Sequence, residues 1–377
     1  MVVYYLSFSE IPSRSANSIH VMKMCQAFAG RGSKVLLLAR QGRLTVENDF
    51  KFYGVNRCFD LLKCKSHQFG KLLADLLHAR VVADEIKQRP RPDLLFSRHI
   101  YSLALLVNVG IPMFFEAHTP PVNLLQKRIE AWVYRQKHFC RLVVISKALQ
   151  DEYIRIFPFL SHKKIMVAPD AADPPVAPEV PFPNGTWFSQ PGRFQVGYTG
   201  HLYPGKGMEV IARVASRLPS VDFHVVGGTE PDIEQWKRVC EAENIHLHGF
   251  VPPGDLKRYL GYFDVMLAPY QERVLGVGGR KENSPWMSPL KIFEYMGCGK
   301  AVVCSDLPVL REILTNEVNA LLVPPGDIDA WARALHRLKE DTRLRVSLGR
   351  AAKAAFLRYH TWDQRAEKIL NSLCEAT

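Results

Sequence analysis

The sequence has little that is typical of secreted or membrane-spanning proteins. Its eight cysteines are scattered over 377 residues and form no CxxC pair, which favours buried, reduced thiols over a disulfide framework. No apolar run reaches the length of about 18 residues that a membrane-spanning helix needs. The apolar run at the N-terminus is short and follows no basic segment. We therefore expect a protein of the cytoplasm.

Several motifs of metal and nucleotide sites are also missing. The thirteen histidines form no HExxH motif, and the sequence shows no further ligands beside His246 and His248, which share one face of a strand. Neither the P-loop GxxxxGKS/T nor the dinucleotide motif GxGxxG occurs, and no DxD motif follows a plausible strand end. The sequence thus predicts no metal site and no cofactor.

The net charge of +12 is concentrated in the first half of the chain. Residues 1–175 carry 25 lysines and arginines against 14 acidic residues, whereas the remaining residues carry 24 against 23. Such an excess indicates an anionic partner, which is a nucleic acid, a negatively charged membrane or a phosphorylated substrate. No nucleic-acid-binding motif accompanies the charge, so we expect no nucleic-acid partner.

Short, continuously apolar segments alternate with longer amphipathic segments along the chain. This alternation is typical of parallel sheets covered by helices on both faces. It stops between residues 168 and 195, which include seven prolines, and then restarts. We expect an α/β protein with two tandem Rossmann-like domains facing across a cleft, at 1–172 and 196–360, joined by a linker at 173–195. The last helix, at about 361–377, is expected to pack back on the first domain.

The segment VGYTGHLYPGKGMEVI predicts a strand that ends at Gly200, a turn that contains Lys206, and then a helix. Glycine lets a ligand approach the backbone, a helix N-terminus offers free N–H groups, and Lys206 adds a cation. Together these features favour a phosphate. A turn with a solvated lysine is the simpler alternative.

The apolar stretch SPLKIFEYMGCGK contains two charged residues. Ser288 and Pro289 fit the N-cap and the first residue of a helix, which leaves the amides of Leu290 and Lys291 free to bind an anion. We expect Glu294 to be buried, and its carboxylate suits a vicinal diol such as a ribose because it accepts two hydrogen bonds at once. A surface ion pair between Lys291 and Glu294 is the alternative.

In this order and in these domains, the two motifs resemble those of GT-B fold retaining glycosyltransferases of family four. That family includes many bacterial transferases of lipopolysaccharide, capsule and phosphatidylinositol saccharides. The resemblance covers nearly the whole chain and includes six further segments: ANSIHVMKMCQAFAGRG, FFEAHTPP, LVVISKAL, VAPDAAD, HLHGFVPPGDL and EILTNEVNALLVPPGD. It implies transfer of a sugar from a UDP- or GDP-linked donor to a saccharide or lipid-linked acceptor in cell-surface polysaccharide synthesis, with no metal required.

The resemblance also implies roles for individual residues. The phosphate-binding lysine corresponds to Lys206, the ribose-binding glutamate to Glu294, and the histidine that contacts the transferred sugar to His118. A histidine held by hydrogen bonds at a strand end is the alternative for His118. The remaining donor contacts correspond to Gly200, to the backbone of Ser288, Pro289, Leu290 and Lys291, and to Gly249, Phe250 and Val251 around the base.

Three positions depart from the family's pattern. His201 stands where an arginine is usual, which weakens the fixed positive charge at the diphosphate. Trp286 replaces the first glutamate of the E-x7-E motif, with Glu282 or Glu272 as stand-ins. The first β–α loop, SEIPSRSANS, lacks the glycines frequent in the family, and its expected polar contacts to the acceptor are Ser15, Asn17 and Ser18.

The mechanism implied by the resemblance is front-face attack assisted by the leaving phosphate, which retains the anomeric configuration. It needs no protein nucleophile. Glu116 and His118, two residues apart on one strand, are therefore interpreted as positioning groups and not as a glycosidase pair. Cations aimed at the departing diphosphate are expected to make the main catalytic contribution.

Two basic segments of the first half, 61–80 and 124–141, interleave cations with Leu, Phe, Trp and Tyr. Such segments can lie on an anionic bilayer, which predicts peripheral attachment to the inner face of the cytoplasmic membrane. Helices that are buried on one side and solvated on the other are the alternative.

Two other functions of the same fold are open. A nucleotide-sugar 2-epimerase would need additional acid and base residues, and the sequence shows no such constellation. A catalytically degenerate nucleotide-binding partner subunit is favoured by the loss of an acid at Trp286.

Overall fold

The computed structural model describes residues 1–65, 70–174, 192–275, 282 and 284–374. The chain divides into two compact units. Unit 1 comprises Met1–Pro169 and Trp362–Thr377, and unit 2 comprises Asp170–Thr361. Most of the expected proline-rich linker falls on 175–191, outside the described residues.

Unit 1 is built on a parallel sheet of seven strands. With elements numbered along the whole chain, the strands are β1 (Val2–Ile11), β2 (Lys34–Gln41), β3 (Asp60–Cys64), β4 (Leu94–Ser97), β5 (Met113–Ala117), β6 (Phe139–Val144) and β7 (Ile165–Val167). The helices are α1 (Ala16–Gly30), α2 (Asp49–Tyr53), α3 (Lys71–Lys87), α4 (Ile100–Leu106), α5 (Leu124–Tyr134), α6 (Lys147–Ile156) and, from the end of the chain, α13 (Trp362–Cys374). The strand order is β3-β2-β1-β4-β5-β6-β7, so the order reverses between β1 and β4.

Unit 2 repeats this plan with six parallel strands. They are β8 (Phe194–Thr199), β9 (Val221–Val226), β10 (Ile245–Gly249), β11 (Val265–Ala268), β12 (Ala301–Ser305) and β13 (Leu321–Val323). Its helices are α7 (Met208–Ala215), α8 (Glu230–Val239), α9 (Lys257–Leu260), α10 (Leu290–Cys298), α11 (Ile328–Glu340) and α12 (Thr342–Tyr359). The strand order is β10-β9-β8-β11-β12-β13. The order therefore reverses between β8 and β11, and ligands of such sheets bind at the carboxyl ends of the strands beside this reversal.

Local sequence explains the main elements. Every residue of β4 and β12 is buried, as expected for strands covered on both faces, and these parallel sheets confirm the α/β fold class. Several helices begin after a side chain that accepts a hydrogen bond from the first turn. Asn123 accepts from Gln126 N (2.8 Å) and Asp327 accepts from Ala330 N (2.9 Å).

The last helix, α13, packs against α1 and lies within unit 1. Arg31, which follows α1, donates to Asp363 at 2.6 Å. Near the other end of the helix, Arg141 donates to the carbonyl oxygen of Ser372 at 2.9 Å. Side chains from two elements of unit 1 therefore hold α13 in place.

Some elements differ from the sequence pattern. The pattern does not predict α2, β3 and β7, which are short, and it also misses α6. The basic segment 61–80 is not one amphipathic helix, since 61–64 belong to the edge strand β3 and α3 begins at Lys71. The helix expected over 254–263 is reduced to the single turn of α9. Within the described ranges, no helix has both the length and the apolar character required to span a bilayer.

Candidate active site

The order reversal in unit 2 brings two loops together at the carboxyl ends of β8 and β11. Gln271 N, in the loop after β11, donates to the Gly205 carbonyl oxygen at 2.9 Å. A Cβ on Gly205 would collide with the Arg273 carbonyl oxygen, and a Cβ on Gly207 would collide with that of Pro269. Both glycines have positive φ angles, +82° and +101°, so only glycine fits this close contact without strain.

The carboxyl ends of β8, β9 and β10 are also joined through glycines. Gly200 N donates to the Val226 carbonyl oxygen at 2.9 Å, and Gly227 N donates to the Gly249 carbonyl oxygen at 2.7 Å. Gly200, Gly227 and Gly249 all have positive φ angles. Three neighbouring strands thus end in backbone without side chains, which leaves this edge open to a ligand.

Lys291 is the charged group at the centre of this edge. It is buried, and its Nζ lies 3.7 Å from the centroid of the Tyr198 ring and 5.3 Å from that of Tyr270. Nζ lies 3.0 Å from where a Cβ on Gly200 would be, and it has no hydrogen-bond partner in the part of the chain that the structure describes. Burial lowers the pKa of Lys291 well below its usual value, and the nearby charge of Lys206 lowers it further.

Lys206 reaches the same place from the loop after β8. Its Nζ lies 5.3 Å from the centroid of the Tyr270 ring, so both ammonium groups face one aromatic side chain. Burial lowers the pKa of Lys206 to about 8. Among the described residues no carboxylate lies within salt-bridge distance of either lysine. The charge of Glu294 offsets a part of the lowering of the Lys291 pKa, but it does so without an ion pair. Two partly desolvated cations that make no ion pair among the described residues form a site suited to a multivalent anion.

The start of α10 differs from the prediction. The helix begins at Leu290, the residue before it is Pro289, and no side chain caps it. Ser288 is therefore not the N-cap. Its Oγ instead accepts a hydrogen bond from Asp170 N at 2.8 Å, within unit 2. No side chain caps the first-turn amides of α10. These amides are therefore available to an anion.

The burial of Glu294 in α10 differs from the expectation. Glu294 is partly exposed and Lys291 is buried, so the predicted buried glutamate is wrong, and the alternative of a surface ion pair between Lys291 and Glu294 is excluded as well. Tyr295 holds α10 against β8, because its hydroxyl accepts a hydrogen bond from Thr199 N at 2.8 Å. Lys291 and Glu294 are thus fixed relative to Gly200.

The remaining predicted residues of unit 2 lie in segments that follow its strands. The His201 ring stacks on Tyr203 with a centroid separation of 4.8 Å, and its carbonyl oxygen accepts from the Tyr198 hydroxyl at 2.7 Å. Phe250 and Val251 follow β10 and are half-buried. The two candidate replacements for the acid lost at Trp286 are both exposed: Glu282, which accepts a hydrogen bond from Ser284, and Glu272.

In unit 1, His118, the histidine predicted to contact the sugar, belongs to a cluster of ionisable side chains centred on the buried Glu116. Glu116 Oε1 lies 2.6 Å from His118 Nε2 and 2.7 Å from His20 Nε2. Its Oε2 lies 3.3 Å from Arg365 Nη1, and Arg98 Nε lies 3.8 Å from Oε1. The His118 side chain is 23% exposed while the Glu116 side chain is fully buried. His118 is therefore the member of this cluster that faces solvent.

The electrostatics of the cluster keep Glu116 ionised. Burial alone would raise the pKa of Glu116, but Arg365 and His20 outweigh it and hold that pKa well below its usual range. Arg365 comes from α13 and also donates to the carbonyl oxygens of Pro169 (2.9 Å) and Ala168 (3.1 Å). The sequence did not identify Arg365, His20 or Arg98, because their relation to Glu116 is set by the fold and not by spacing.

The predicted polar contacts of the first loop lie at the start of α1. Ser15 is the N-cap of α1 and accepts from Ser18 N at 3.3 Å. Ser18 is fully buried and donates to the Ser15 carbonyl oxygen at 2.8 Å, so its side chain is engaged at the start of the helix. Asn17 is exposed.

Two family models match the chain. Glycosyltransferase Family 4 matches residues 18–174, and Glycosyl transferases group 1 matches residues 193–341. Among curated proteins, a D-inositol 3-phosphate glycosyltransferase of Xylanimonas cellulosilytica is 27% identical over 191 residues, which is 48% of this chain and 42% of that protein. A phosphatidyl-myo-inositol mannosyltransferase of Mycolicibacterium smegmatis is 30% identical over 164 residues, 42% of this chain and 39% of that protein. These matches span about two fifths of the length of each relative.

Solved structures match over the full length of the chain. Anabaena HepE in complex with UDP superposes with a TM-score of 0.72 at 16% identity, covering 100% of both chains. Sucrose-phosphate synthase of Thermosynechococcus elongatus gives a TM-score of 0.74 at 16% identity, again covering 100% of both chains. The fold is that of the GT-B glycosyltransferases, with two Rossmann-like domains. The chain belongs to family four of this fold, as the sequence motifs predicted.

Proposed function

We propose that the chain transfers a sugar from a UDP- or GDP-linked donor to a saccharide or lipid-linked acceptor with retention of configuration and without a metal ion. The observation that carries the proposal is the convergence of Lys206 and Lys291 on the ring of Tyr270, with Lys291 beside Gly200. Their ammonium groups are partly desolvated and have no carboxylate within salt-bridge distance among the described residues, so an anion must supply the missing charge. A nucleotide diphosphate does this in the place where Rossmann-like sheets bind nucleotides.

Lys291 can also replace the positive charge that is lost where His201 stands in place of the family's arginine. The usual arginine at the diphosphate is replaced by His201, which leaves the site one fixed cation short. Lys291 Nζ lies against Gly200, the residue before His201. We assign Lys291 the role of the missing cation, with its side chain contacting the diphosphate in addition to its backbone amide.

The geometry of α10 and of the end of β10 supports contacts for the other parts of the donor. The uncapped first turn faces a phosphate, and Glu294, one turn later and partly exposed, accepts hydrogen bonds from the ribose hydroxyls. The backbone at Gly249, Phe250 and Val251 lines the base. Crystal structures of Anabaena HepE contain UDP or UDP-glucose, which supports a nucleotide sugar as the donor of this chain.

The catalytic contribution is electrostatic. As the glycosidic bond breaks, negative charge grows on the departing diphosphate, and preorganised cations stabilise that charge more than they stabilise the ground state. Glu116 is a poor nucleophile because both of its oxygens are engaged by His118, His20 and Arg365. We therefore propose that Glu116 positions His118, and that His118 contacts the transferred sugar.

Acceptor recognition is proposed to involve unit 1 and a membrane surface. Helices α3 and α5 both contact α4, and each exposes leucines: Leu72, Leu73 and Leu76 on α3, and Leu124 and Leu125 on α5. Lys127 and Arg128 are exposed on the same helix as the second pair. Leucines flanked by cations favour the surface of an anionic bilayer. The curated relatives named for inositol phosphate and phosphatidylinositol support a polyol or lipid-linked acceptor.

The test is a screen of donor hydrolysis and transfer over UDP-, GDP- and ADP-sugars. One donor is expected to be turned over, with activity lowered at least about a hundredfold in Lys206→Ala and Glu294→Ala. Lys237→Ala, an exposed lysine of α8, serves as the matched control and is expected to be fully active. Binding of a nucleotide sugar without turnover would instead favour the degenerate partner subunit, and a product epimerised at C2 would favour the epimerase.

A further inference from the structure

A buried carboxyl group with only neutral partners lies on α5. Glu130 is fully buried. Its Oε1 accepts a hydrogen bond from Gln126 Nε2 at 2.8 Å, and its Oε2 accepts one from the Tyr134 hydroxyl at 2.9 Å. Among the described residues, no cation forms an ion pair with Glu130. A buried carboxylate without a counter-charge costs folding free energy, which points to a role other than stability.

Gln126 connects Glu130 to the segment that follows His118. Residues 118–123 join β5 to α5. The Gln126 side chain donates to Glu130 through Nε2 and accepts from Val122 N through Oε1 at 3.3 Å. The amide group is held in this orientation, because a flip would turn its oxygen toward the carboxylate. Glu130 therefore fixes the contact of Gln126 with the backbone of this segment.

Tyr153 holds the other end of the same segment. Its hydroxyl donates to the Thr119 carbonyl oxygen at 3.2 Å. Tyr153 is fully buried on α6, and its ring centroid lies 6.5 Å from that of Tyr134. Burial and, after it, the charge of Glu130 raise the pKa of Tyr153 well above its usual value, so the carboxyl group and this hydroxyl are close. Two chains of contacts thus join Glu130 to the segment, one at Thr119 and one at Val122.

We propose that Glu130 is a positioning residue for His118 and that it acts through the backbone of 119–122. Thr119 follows His118 directly, so a shift of this backbone moves the imidazole. Glu116 holds the ring of His118 at 2.6 Å, whereas Glu130 holds the chain that carries it. The inference rests on the proposed function, in which His118 contacts the transferred sugar.

The charge of Glu130 strengthens the contacts that hold the segment. Hydrogen bonds to an ionised acceptor are about twice as strong as those to a neutral one. Burial raises the pKa of Glu130 to about 7, so the carboxyl group is ionised above that pH and protonated below it. The titratable groups that face it are the hydroxyls of Tyr134 on α5, Tyr153 on α6 and Tyr101 on α4, and burial raises the pKa of all three. Glu130 is therefore the group of this cluster that changes charge near neutral pH.

The test compares steady-state transfer by the wild type and by Glu130→Gln. Glutamine keeps the shape of the side chain, but its amide group turns a donor toward a donor. The segment is expected to shift by about 1 Å, and kcat is expected to fall at least about tenfold. Affinity for the nucleotide diphosphate is expected to be unchanged, because that ligand lacks the sugar that His118 contacts.

The pH profile separates positioning from a purely structural role. The wild-type kcat is expected to fall as the pH drops from about 8 to about 6, across the pKa of Glu130. This fall is expected to be smaller in Glu130→Gln, which has no carboxyl group to protonate. Asp151→Asn, an exposed acid of α6, is the matched control and is expected to keep the wild-type kcat and profile.

A second variant keeps the inference testable if Glu130→Gln does not fold. Gln126→Met retains the carboxyl group but removes its connection to Val122, and Gln126 is partly exposed. This variant is expected to lower kcat as well, with unchanged affinity for the nucleotide diphosphate. A wild-type kcat in both variants would overturn the inference, and so would an equal fall of kcat with pH in the wild type and Glu130→Gln.

A crystal structure of Glu130→Gln beside that of the wild type gives a readout that needs no sugar donor. A displaced segment 119–122 is expected. An unchanged segment would overturn the inference even if no donor is turned over. A displaced segment in a protein that transfers no sugar would count against the proposed transfer alone, so the two failures are distinguishable.

Discussion

Lys291 Nζ lies 3.7 Å from the centroid of the Tyr198 ring, buried inside unit 2 and without a hydrogen-bond partner among the described residues. The ring face stabilises the ammonium, but it does not replace the water that burial removes. Such an arrangement costs folding free energy. It is explained if the cation serves a bound anion, because binding then supplies the counter-charge.

The first prediction is that Lys291→Met makes the protein more stable while it weakens nucleotide binding. Methionine keeps the length of the side chain and removes the desolvated charge, so the free energy of unfolding without ligand should rise by about 1–3 kcal/mol. Urea denaturation measures this change. Lys237→Met, on the exposed face of α8, is the control and should change little. A less stable Lys291→Met variant would show that the lysine has a structural role.

The second prediction concerns pH. Burial lowers the pKa of Lys206 from 10.5 to about 8 in the free protein, so Lys206 is charged below that pH and loses its proton above it. A diphosphate binds the charged form better, and UDP affinity should fall as the pH rises from about 7 to about 9. Calorimetry at several pH values measures the affinity. In Lys206→Arg the charge persists, so this fall should be reduced, and an equal fall in both proteins would exclude Lys206 as its cause.

The lowered pKa of Lys206 also affects how the free energy of unfolding depends on pH. Because the folded pKa of Lys206 lies below its unfolded value, the unfolded chain binds more protons between about pH 8 and pH 10.5. The contribution of Lys206 to stability without ligand therefore rises with pH across that window. The difference in unfolding free energy between wild type and Lys206→Met, measured across the window, should show this rise, and a difference independent of pH would contradict it.

The third prediction compares the contributions of two arginines, Arg365 and Arg31, that join α13 to the rest of unit 1. Arg365→Met leaves buried Glu116 without its main counter-charge and should lower the free energy of unfolding by about 3–5 kcal/mol. Arg31→Met removes an exposed ion pair with Asp363 and should have a much smaller effect. Urea unfolding compares the two variants. Adding Glu116→Gln to Arg365→Met should recover part of the loss, and no recovery would contradict the buried pair.

The fourth prediction tests the membrane surface. Replacing Leu124 and Leu125 by serine should reduce pelleting with anionic vesicles, and added salt should reduce pelleting of the wild type. Val346→Ser, an exposed apolar residue of α12, is the control with one apolar side chain removed in unit 2. If the wild type does not pellet with anionic vesicles at low salt, the membrane proposal is excluded.

The architecture could be predicted from the sequence because strands and helices leave local patterns of apolar residues along the chain. Strands such as Leu94–Ser97 are short, mostly apolar and followed by a helix, which leaves few alternatives to two parallel sheets. The loop that we propose binds a phosphate was predicted in the same way, from Gly200, the turn and Lys206. Short elements such as β3 carry too few residues for a periodic pattern.

What the sequence did not predict depends on contacts between distant positions. The pattern around Glu294 suggested a buried acid, but the rotation of α10 buries Lys291 and leaves Glu294 partly exposed. Glu116 and Arg365 are 249 positions apart, and no local pattern joins them.

The most direct test of the account is calorimetric binding of UDP, GDP and the corresponding nucleosides to the wild type, Lys206→Ala and Lys291→Met. We expect one nucleotide diphosphate to bind the wild type, and each variant to weaken that binding at least about tenfold, or 1.4 kcal/mol. Binding of the nucleoside should be unchanged, because it lacks the diphosphate. Equal affinity of wild type and both variants for the diphosphate would contradict the claim that these two lysines form the donor site.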